Sequence, residues 1–139
     1  MSTSDAPQRR FTSLPATECL ALVGSHAIGR VGWSSVEGPT ILPVAYAMWD
    51  GLIVFRTASY GTLAELVDDR EVAFEVDEFD PTIRTGWSVL VRGTARAAAN
   101  HDELAGHWQQ DEPIPWATGE RHLFIEITPG QVSGRVISR

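Results

Sequence analysis

The feature that most constrains the fold is a pair of apolar segments joined by Asp50-Gly51. The segments run from Thr40 to Trp49 and from Leu52 to Thr57, and both are rich in β-branched and aromatic residues. Asp-Gly between two such segments favours the two-residue turn of an antiparallel hairpin, because both turn positions need a positive φ. The sequence therefore predicts two neighbouring strands near the middle of the chain.

The rest of the chain alternates short apolar segments with turn residues. The spacing of apolar residues predicts a short helix within Leu14 to Val23, stopped at Gly24, and further helices over Tyr60 to Asp69 and His101 to Gln110. Asp111 to Glu120 is predicted to be a loop, since it contains two prolines and a glycine. The additional strands are predicted at Ala27 to Trp33, Glu71 to Asp77, Trp87 to Ala97, His122 to Thr128 and Gln131 to Val136, with Pro129-Gly130 as a turn between the last two.

Six or seven mostly antiparallel strands with two or three helices favour a small β-barrel. A chain of 139 residues with 43% apolar residues can bury one core. We expect one domain over residues 11–139, after a disordered lead over residues 1–10 that lacks apolar periodicity. No apolar run reaches the roughly eighteen residues that cross a bilayer, and we expect a cytoplasmic protein without membrane contacts.

The charged residues restrict the classes of partner. All 11 basic residues are arginines, which excludes Schiff-base lysine chemistry and the phosphate-loop lysine. The net charge of −7 argues against nucleic acid as a partner, because affinity for a phosphate backbone needs a basic surface. An anionic ligand must instead be held locally by arginines and main-chain amides.

Several other kinds of site are disfavoured. The four histidines show no metal-ligand spacing, so we expect no metal, and no nucleophile elbow or dinucleotide fingerprint is present. Cys19 lies in an apolar segment and is expected to be a buried thiol. Glu75 and Asp77 fall on one face of a predicted strand, where we expect solvent exposure and no catalytic role.

Arg56 is the main candidate for binding an anion. It ends the second strand of the predicted hairpin and precedes Thr57, Ser59, Thr62 and the amides of the next predicted helix. A guanidinium, hydroxyls and free amides together suit a phosphate. On spacing alone, an ion pair with Glu65 or Asp68 is an equally good interpretation. Arg84 and Arg92 are secondary candidates for holding an anion.

The segment from Leu42 to Thr57, followed by Gly61-Thr62-Leu63 and by the run from Gly86 to Gly93, resembles the flavin-binding split barrels of the pyridoxamine 5'-phosphate oxidase-like superfamily. The resemblance extends from about Cys19 to Arg135. It implies a mainly β fold, an antiparallel, Greek-key-like split β-barrel. It also implies a homodimer that binds flavin mononucleotide (FMN) at the subunit boundary.

The resemblance also implies roles for individual residues. Arg56 and Thr57 match the pair that binds the FMN phosphate, while Thr62 stands where the superfamily usually has a lysine. Main-chain groups at Pro43 and Val44 match those facing the polar edge of the flavin, although a plain barrel-edge proline is the alternative. Trp87 and Ser88 match a segment near the phosphate and ribityl chain, and Trp87 could equally be a core or interface aromatic residue. The implied cofactor contacts are therefore Pro43, Val44, Arg56, Thr57, Ser59, Thr62, Leu63, Trp87 and Ser88.

The implied function is an FMN-dependent oxidoreductase that acts on a small molecule. The carboxy-terminal segment from Ser133 to Arg139 matches the superfamily's arginine-rich substrate segment poorly, so the substrate stays open. A deazaflavin-dependent reductase is an alternative, against which the acidic, lysine-free composition argues mildly. A non-catalytic flavin- or haem-binding module and a dimeric interaction protein without cofactor are further alternatives.

Overall fold

The computed structural model describes residues 10–58, 60–99, 102–104, 106 and 123–138, which form seven antiparallel strands, two short helices and a few residues of a third helix. The helices are α1 (Ala16–Gly24) and a 3-10 helix (Thr62–Val67). The strands are β1 (Arg10–Leu14), β2 (Ile28–Ser35), β3 (Gly38–Trp49), β4 (Leu52–Thr57), β5 (Arg70–Asp80), β6 (Thr85–Ala97) and β7 (Leu123–Ser138).

The strands form one sheet that closes into a ring. Their order is β1-β7-β4-β3-β2-β5-β6, and β6 pairs with β7 to close strands β2 to β7. The 16-residue β7 pairs with β6 over most of its length, with β4 near its start and with β1 near its end. The predicted mainly β, antiparallel barrel is confirmed.

The two ends of the ring differ in what covers them. We call the end at which β4 finishes and β5 begins the base, and the opposite end the top. The 3-10 helix connects β4 to β5 across the base, where it contacts β5, β6 and β7. Helix α1 covers the top through contacts with β3, β6 and β7.

Tyr46 of β3 ties helix α1 to the barrel core. Its hydroxyl donates a hydrogen bond to the carbonyl oxygen of Val23, and its ring packs edge-on against Phe74 with the centroids 4.8 Å apart. Burial raises the pKa of the Tyr46 hydroxyl to about 12. Cys19 of α1 is buried as predicted, and its burial is the main reason for a raised thiol pKa. The helix therefore packs as the lid of the core.

The predicted hairpin is confirmed, and β4 has the predicted bounds, Leu52–Thr57. Asp50 has φ 52° and Gly51 has φ 78°, so both turn residues adopt the positive φ that the Asp-Gly pair favours. Strands β2, β3, β5 and β6 also lie where they were predicted, with ends shifted by at most three residues.

The predicted turn at Pro129-Gly130 is wrong, because β7 runs through it without interruption. Arg92 of β6 faces Gln131, but the next residue, Gly93, faces Pro129. The register shift leaves Gly130 as an extra residue, which is a β-bulge. Turn-forming residues thus produce a bend within one long strand, since β6 continues alongside and keeps the ladder paired.

The second predicted helix is also different from its prediction. It is a six-residue 3-10 helix, Thr62–Val67, and not an α-helix over Tyr60 to Asp69. Positive φ angles at Gly61 (98°) and Asp69 (47°) confine it at both ends, because the chain must turn sharply to cross the base.

Strand β1 was not predicted, because five residues without clear alternation carry little signal. Of the predicted disordered lead, residues 1–9 lie outside the described residues, and Arg10 begins β1. The predicted loop over Asp111 to Glu120 also lies outside them, and the third helix is described only at residues 102–104 and 106. In the described part of the chain, no helix is both long and apolar enough to cross a bilayer.

A substitution at Gly29 tests how tightly the ring is packed. A Cβ atom there would lie 2.3 Å from Cζ of Phe74, so Gly29→Ala must displace a buried ring. We expect a loss of about 1–3 kcal/mol in the free energy of unfolding, the usual range for overpacking. Thermal unfolding followed by circular dichroism measures it. Gly32→Ala on the same strand is the control, because its Cβ would meet no atom closer than 3.4 Å. Equal melting temperatures for the two variants would contradict the packing described here.

Candidate functional site

The ring is open between β3 and β4 on the base side. Only residues 46–49 of β3 pair with β4, through residues 52–55. Toward the base, residues 38–45 of β3 pair with β2 alone, and Arg56 and Thr57 pair with β7 alone. We call this opening the β3–β4 slot, with Ile41, Pro43 and Ala45 along one side and Arg56 and Thr57 along the other.

Main-chain polar groups face the slot from β3. Alternate residues of an antiparallel strand direct their N–H and C=O groups to opposite sides. Tyr46 donates its N–H to the carbonyl oxygen of Ala27, toward β2, at 2.9 Å. By alternation, the main-chain groups of Ala45, Pro43 and Ile41 point toward the slot. No described strand pairs with residues 38–44 on this side, so the amides of Ile41 and Ala45 and the carbonyls of Ile41 and Pro43 border the slot.

Pro43 and Val44 occupy different environments. Pro43 is exposed on the outer surface, at a position where the missing N–H costs no ladder hydrogen bond. Val44 is buried in the core opposite Gly29, and its main chain faces β2. Ala45, which the sequence did not single out, therefore presents the amide that was expected from Val44.

Arg56 lies on the outer side of β4, opposite Phe124 of β7, and is half-buried, with its Nε atom fully buried. Thr57 lies opposite Leu123 and is also half-buried. Because β4 leaves β3 at this level, both residues border the slot. A partly desolvated guanidinium binds a phosphate or carboxylate more strongly than an exposed one.

Glu65, the predicted alternative partner of Arg56, is directed to the β2–β3 turn. Its carboxylate accepts hydrogen bonds from Nε1 of Trp33 at 3.4 Å and from the amide of Val36 at 3.3 Å. Arg70 forms an ion pair with the same oxygen at 3.8 Å. Glu65 therefore stabilises the base of the barrel through these three groups.

The segment that follows Thr57 in the chain provides a weaker anion-binding site than the N-terminus of an α-helix would. Thr62 begins the 3-10 helix and is half-buried, while Leu63 packs against the core. Ser59 lies outside the described residues. A six-residue 3-10 helix has only a small dipole, so any phosphate here would depend mainly on Arg56 and on hydroxyl groups.

Trp87 and Ser88 lie at the other end of the barrel. Ser88 faces Asp77 and Arg135 near the top. Trp87 points inward, packs against the core and meets the ring of His26 edge-on, with centroids 4.9 Å apart. These contacts support the interpretation of Trp87 as a core aromatic residue.

The distance between the two groups of predicted residues follows from the register. Arg56 is opposite Phe124, whose carbonyl accepts the amide of Ala98, just after β6 ends at Ala97. Ser88 is nine residues from Ala97 on the same strand, or about 30 Å along an extended chain. One chain therefore does not bring Ser88 and Arg56 to the same phosphate.

Charged residues on the outer face of β2 and β5 form a cluster that sequence reasoning assigned to solvent. Nη1 of Arg30 lies 2.9 Å from Glu75 and 3.1 Å from Asp77. Burial is the main reason why the pKa of Glu75 is raised to about 7; Asp77 adds to the rise and Arg30 opposes it. Glu75 is half-buried, so the expectation of full exposure is wrong for this residue.

The described residues contain no group of three or more His, Cys, Asp or Glu side chains arranged to hold a metal ion.

Comparison with protein families identifies the fold. Residues 15–136 match the profile of the family described as pyridoxamine 5'-phosphate oxidase. The chain belongs to this family. The resemblance drawn from the hairpin and its flanking motifs is thereby confirmed. An uncharacterized protein of Mycobacterium tuberculosis is 30% identical over 131 residues, which cover 91% of this chain and 85% of that protein.

Two solved structures have closely similar folds. The FAD binding protein from Mycobacterium smegmatis is 31% identical, with a TM-score of 0.72 and coverage of 91% of this chain and 98% of that chain. A FAD-binding protein from Mesorhizobium loti is 24% identical, with a TM-score of 0.71 and coverage of 95% and 100%, and shows the fold alone.

The raised pKa of Glu75 predicts a pH-dependent stability. A folded-state pKa raised from 4.5 to about 7 means that ionisation of Glu75 is less favourable in the folded protein. The resulting stability is complete below about pH 4.5 and is lost as the pH rises to about 7. In Glu75→Gln this part of the pH dependence should be absent. Urea unfolding at about pH 5 and about pH 8 measures it, with Glu71→Gln, an exposed neighbour, as the control. If the free energy of unfolding changed equally between the two pH values in wild type and in Glu75→Gln, the assignment to Glu75 would be contradicted.

Proposed function

We propose that the chain is a flavin-dependent oxidoreductase that holds FMN in the β3–β4 slot and acts on a small molecule. The observation that carries this proposal is the slot itself. One side offers unpaired main-chain donors and acceptors, and the other offers a half-buried arginine. This combination matches a ligand with a polar ring edge and a phosphate.

The donor and acceptor groups of the slot fit a flavin. The pyrimidine edge of a flavin ring has two carbonyl oxygens that flank one N–H group. Ile41 and Ala45 offer amides, and Pro43 between them offers only a carbonyl. This edge of β3 therefore offers both donors and acceptors, the two kinds of group that the flavin edge requires. Arg56 would bind the phosphate through two hydrogen bonds, assisted by the hydroxyls of Thr57 and Thr62.

The protein groups around such a ligand have defined tasks. A bound flavin supplies the electron-transfer chemistry. A main-chain amide of the β3 edge, such as that of Ala45, would orient its ring and stabilise negative charge on the pyrimidine edge. Arg56 fixes the other end of the cofactor. No acid-base residue is required for these roles.

A second copy of the chain would complete the site. Arg56 lies at the base and Ser88 near the top, so one chain cannot bring both to one phosphate. A two-fold axis perpendicular to the barrel axis reverses the barrel and sets the top of one copy beside the base of the other. Ser88 of each copy would then lie beside the cofactor in the slot of the other. This geometry supports a homodimer with two equivalent sites at the boundary.

A dinucleotide flavin is the second candidate cofactor. It is supported by the FAD binding protein of Mycobacterium smegmatis, which is 31% identical to this chain. A deazaflavin in the same slot and a non-catalytic flavin-binding module are the remaining alternatives. Mass spectrometry and the absorbance of the purified protein separate the cofactors, with flavin absorbing near about 450 nm and deazaflavin near about 420 nm. Turnover with a nicotinamide donor and an electron acceptor separates the enzyme from the module.

Removing the guanidinium should weaken flavin binding. We expect Arg56→Ala to lose about 1.5–3 kcal/mol of binding free energy, or roughly ten- to 150-fold in affinity, because it removes charge-assisted hydrogen bonds. Arg56→Lys should recover only part of this loss, since an ammonium cannot form the paired contact. Fluorescence titration of the apoprotein measures the affinity. Arg84→Ala is the control, because Arg84 is exposed in the turn between β5 and β6. Unchanged affinity in Arg56→Ala would place the phosphate elsewhere.

Mixed dimers test whether each site uses two chains. Arg56→Ala removes the phosphate contact that the base of one copy would make. Ser88→Asp should weaken the contact made by the top of the other copy, because it places a carboxylate near the phosphate. When the two variants are coexpressed with different tags, each heterodimer should contain one site free of both changes. Purified heterodimers should therefore bind about half the flavin of wild type, although each homodimer binds little.

The readout is the flavin content per heterodimer. Ser133→Asp, an exposed position on the same outer face, is the control for the added charge. Heterodimers that bind no more flavin than the two homodimers would show that one chain supplies the whole site.

A further inference from the structure

A straight row of five residues crosses the outer surface near the base. Each is the register partner of the next on five neighbouring strands. Directly paired residues on neighbouring strands project on the same side of a sheet. We call this set the base row, and from β3 to β7 it consists of Ile41, Gly32, Ala73, Arg92 and Gln131.

The base row lies in a groove of about 890 Å3. This volume is within the range of sites for small organic molecules. Ile41, with 71% of its surface exposed, and Arg92, also exposed, stand on either side of Gly32 and Ala73. Three strand spacings separate Ile41 from Arg92, or about 14 Å. The floor between them carries a single methyl group.

The fold itself does not require the glycine in this floor. At Gly29, Gly86, Gly93 and Gly134, an added Cβ would come within 2.2–2.6 Å of another atom, so packing requires glycine there. At Gly32 the nearest atoms would be 3.4 Å and 3.5 Å away, which is ordinary contact. The space above Gly32 therefore belongs to the groove and not to the packing of the chain.

The neighbouring row toward the top is filled. In that row, Arg30 takes the place of Gly32 on β2 and Glu75 takes the place of Ala73 on β5. These two residues form an ion pair at 2.9 Å. Side chains of the protein thus cover the sheet there. The flat floor is confined to the base row.

The charges around the groove leave one arginine for a ligand. Arg70 pairs with Glu65 and Asp69 pairs with Arg96, at 3.8 Å and 3.6 Å. Arg92 makes no ion pair within the described ranges. Its strand neighbours in the ladder are the neutral Ala73 and Gln131.

Glu71 also lines the groove, opposite Thr94, and is exposed. A carboxylate at this position opposes anion binding, so its removal should have the opposite effect to removal of Arg92.

We propose that the base row binds a small organic anion with a flat apolar body. Its carboxylate or phosphate pairs with Arg92, and its body lies over Gly32 and Ala73 against Ile41. Ile41 also borders the β3–β4 slot, so this ligand lies beside the proposed flavin. The inference that it is the class of compound on which the enzyme acts rests on the proposed function; the binding site itself does not.

Binding of matched probes to the apoprotein in its native oligomeric state tests the site by calorimetry. The probes are 2-naphthoate, 2-naphthyl phosphate, the neutral 2-naphthamide, and acetate as an anion without the ring. We expect either naphthyl anion to bind about tenfold or more tightly than the amide and acetate, since both the charge and the ring contribute. The two anions also distinguish a carboxylate ligand from a phosphate ligand.

Three variants test the individual contacts. Arg92→Gln should lose about tenfold in affinity for the anion and little for the amide, with Arg84→Gln as the control. Gly32→Ala should lower affinity for all three naphthyl probes without lowering the melting temperature, because its methyl group occupies the floor. Glu71→Gln should increase affinity for the anion.

Equal binding of naphthoate and naphthamide, or affinities unchanged in both Arg92→Gln and Gly32→Ala, would overturn the proposal. The proposal would also be overturned if none of the naphthyl probes bound. Because the assay uses apoprotein, a failure of the slot to bind flavin leaves its result intact. The proposed function and the base-row site can therefore fail separately.

Discussion

The structure depends on the point at which β3 changes partners. Its first eight residues pair with β2 and its last four with β4, and Tyr46 stands at the change. The amide of Tyr46 donates a hydrogen bond to the carbonyl of Ala27, and its hydroxyl donates one to the carbonyl of Val23. Its ring packs against Phe74, so three contacts fix this residue. A β3 strand that paired on both sides over its whole length would close the barrel completely. Because Tyr46 is fixed at the point where the pairing changes, the gap between β3 and Arg56 is built into the fold.

An open strand edge usually invites another strand to pair with it. Here Pro39 and Pro43 occupy alternate positions on the open edge of β3, so two of its expected donors are missing. Such an edge cannot extend the sheet regularly, yet its carbonyl groups stay available. The same two prolines thus discourage aggregation and leave an edge whose mixed donors and acceptors suit a small heterocycle.

Local sequence signals predicted the fold well where the structure is itself locally determined. Asp50-Gly51 predicted the hairpin and the bounds of β4, since the turn conformation depends on these two residues. The turn predicted at Pro129-Gly130 was wrong for the opposite reason. Strand β6 pairs with β7 on both sides of these residues, and this long-range pairing makes them a β-bulge within one strand. The 3-10 helix was predicted as a longer α-helix because apolar spacing alone does not reveal the positive φ angles of Gly61 and Asp69 that flank it.

The site was predictable only in part for the same reason. Arg56 and Thr57 could be singled out because their strand, turn and helix follow one another in sequence. The separation of Ser88 from Arg56 could not, because it depends on the register of β6 and β7. Arg84 and Arg92 are equivalent in the sequence, but only Arg92 lies in a cross-strand row with Gly32 and Ala73.

The acidic, lysine-free composition makes the placement of each arginine decisive. Arg30, Arg70 and Arg96 form ion pairs with carboxylates of β5, the 3-10 helix and the residue before β5. Thr62 stands where the resemblance to the superfamily implies a lysine, so the slot has no second cation at this position, and the 3-10 helix adds little dipole. A phosphate bound there by one chain would therefore rely on a single guanidinium. An additional hydrogen bond from a second copy would have its largest relative effect in such a site, which is a physical argument for the proposed position of the cofactor at a subunit boundary.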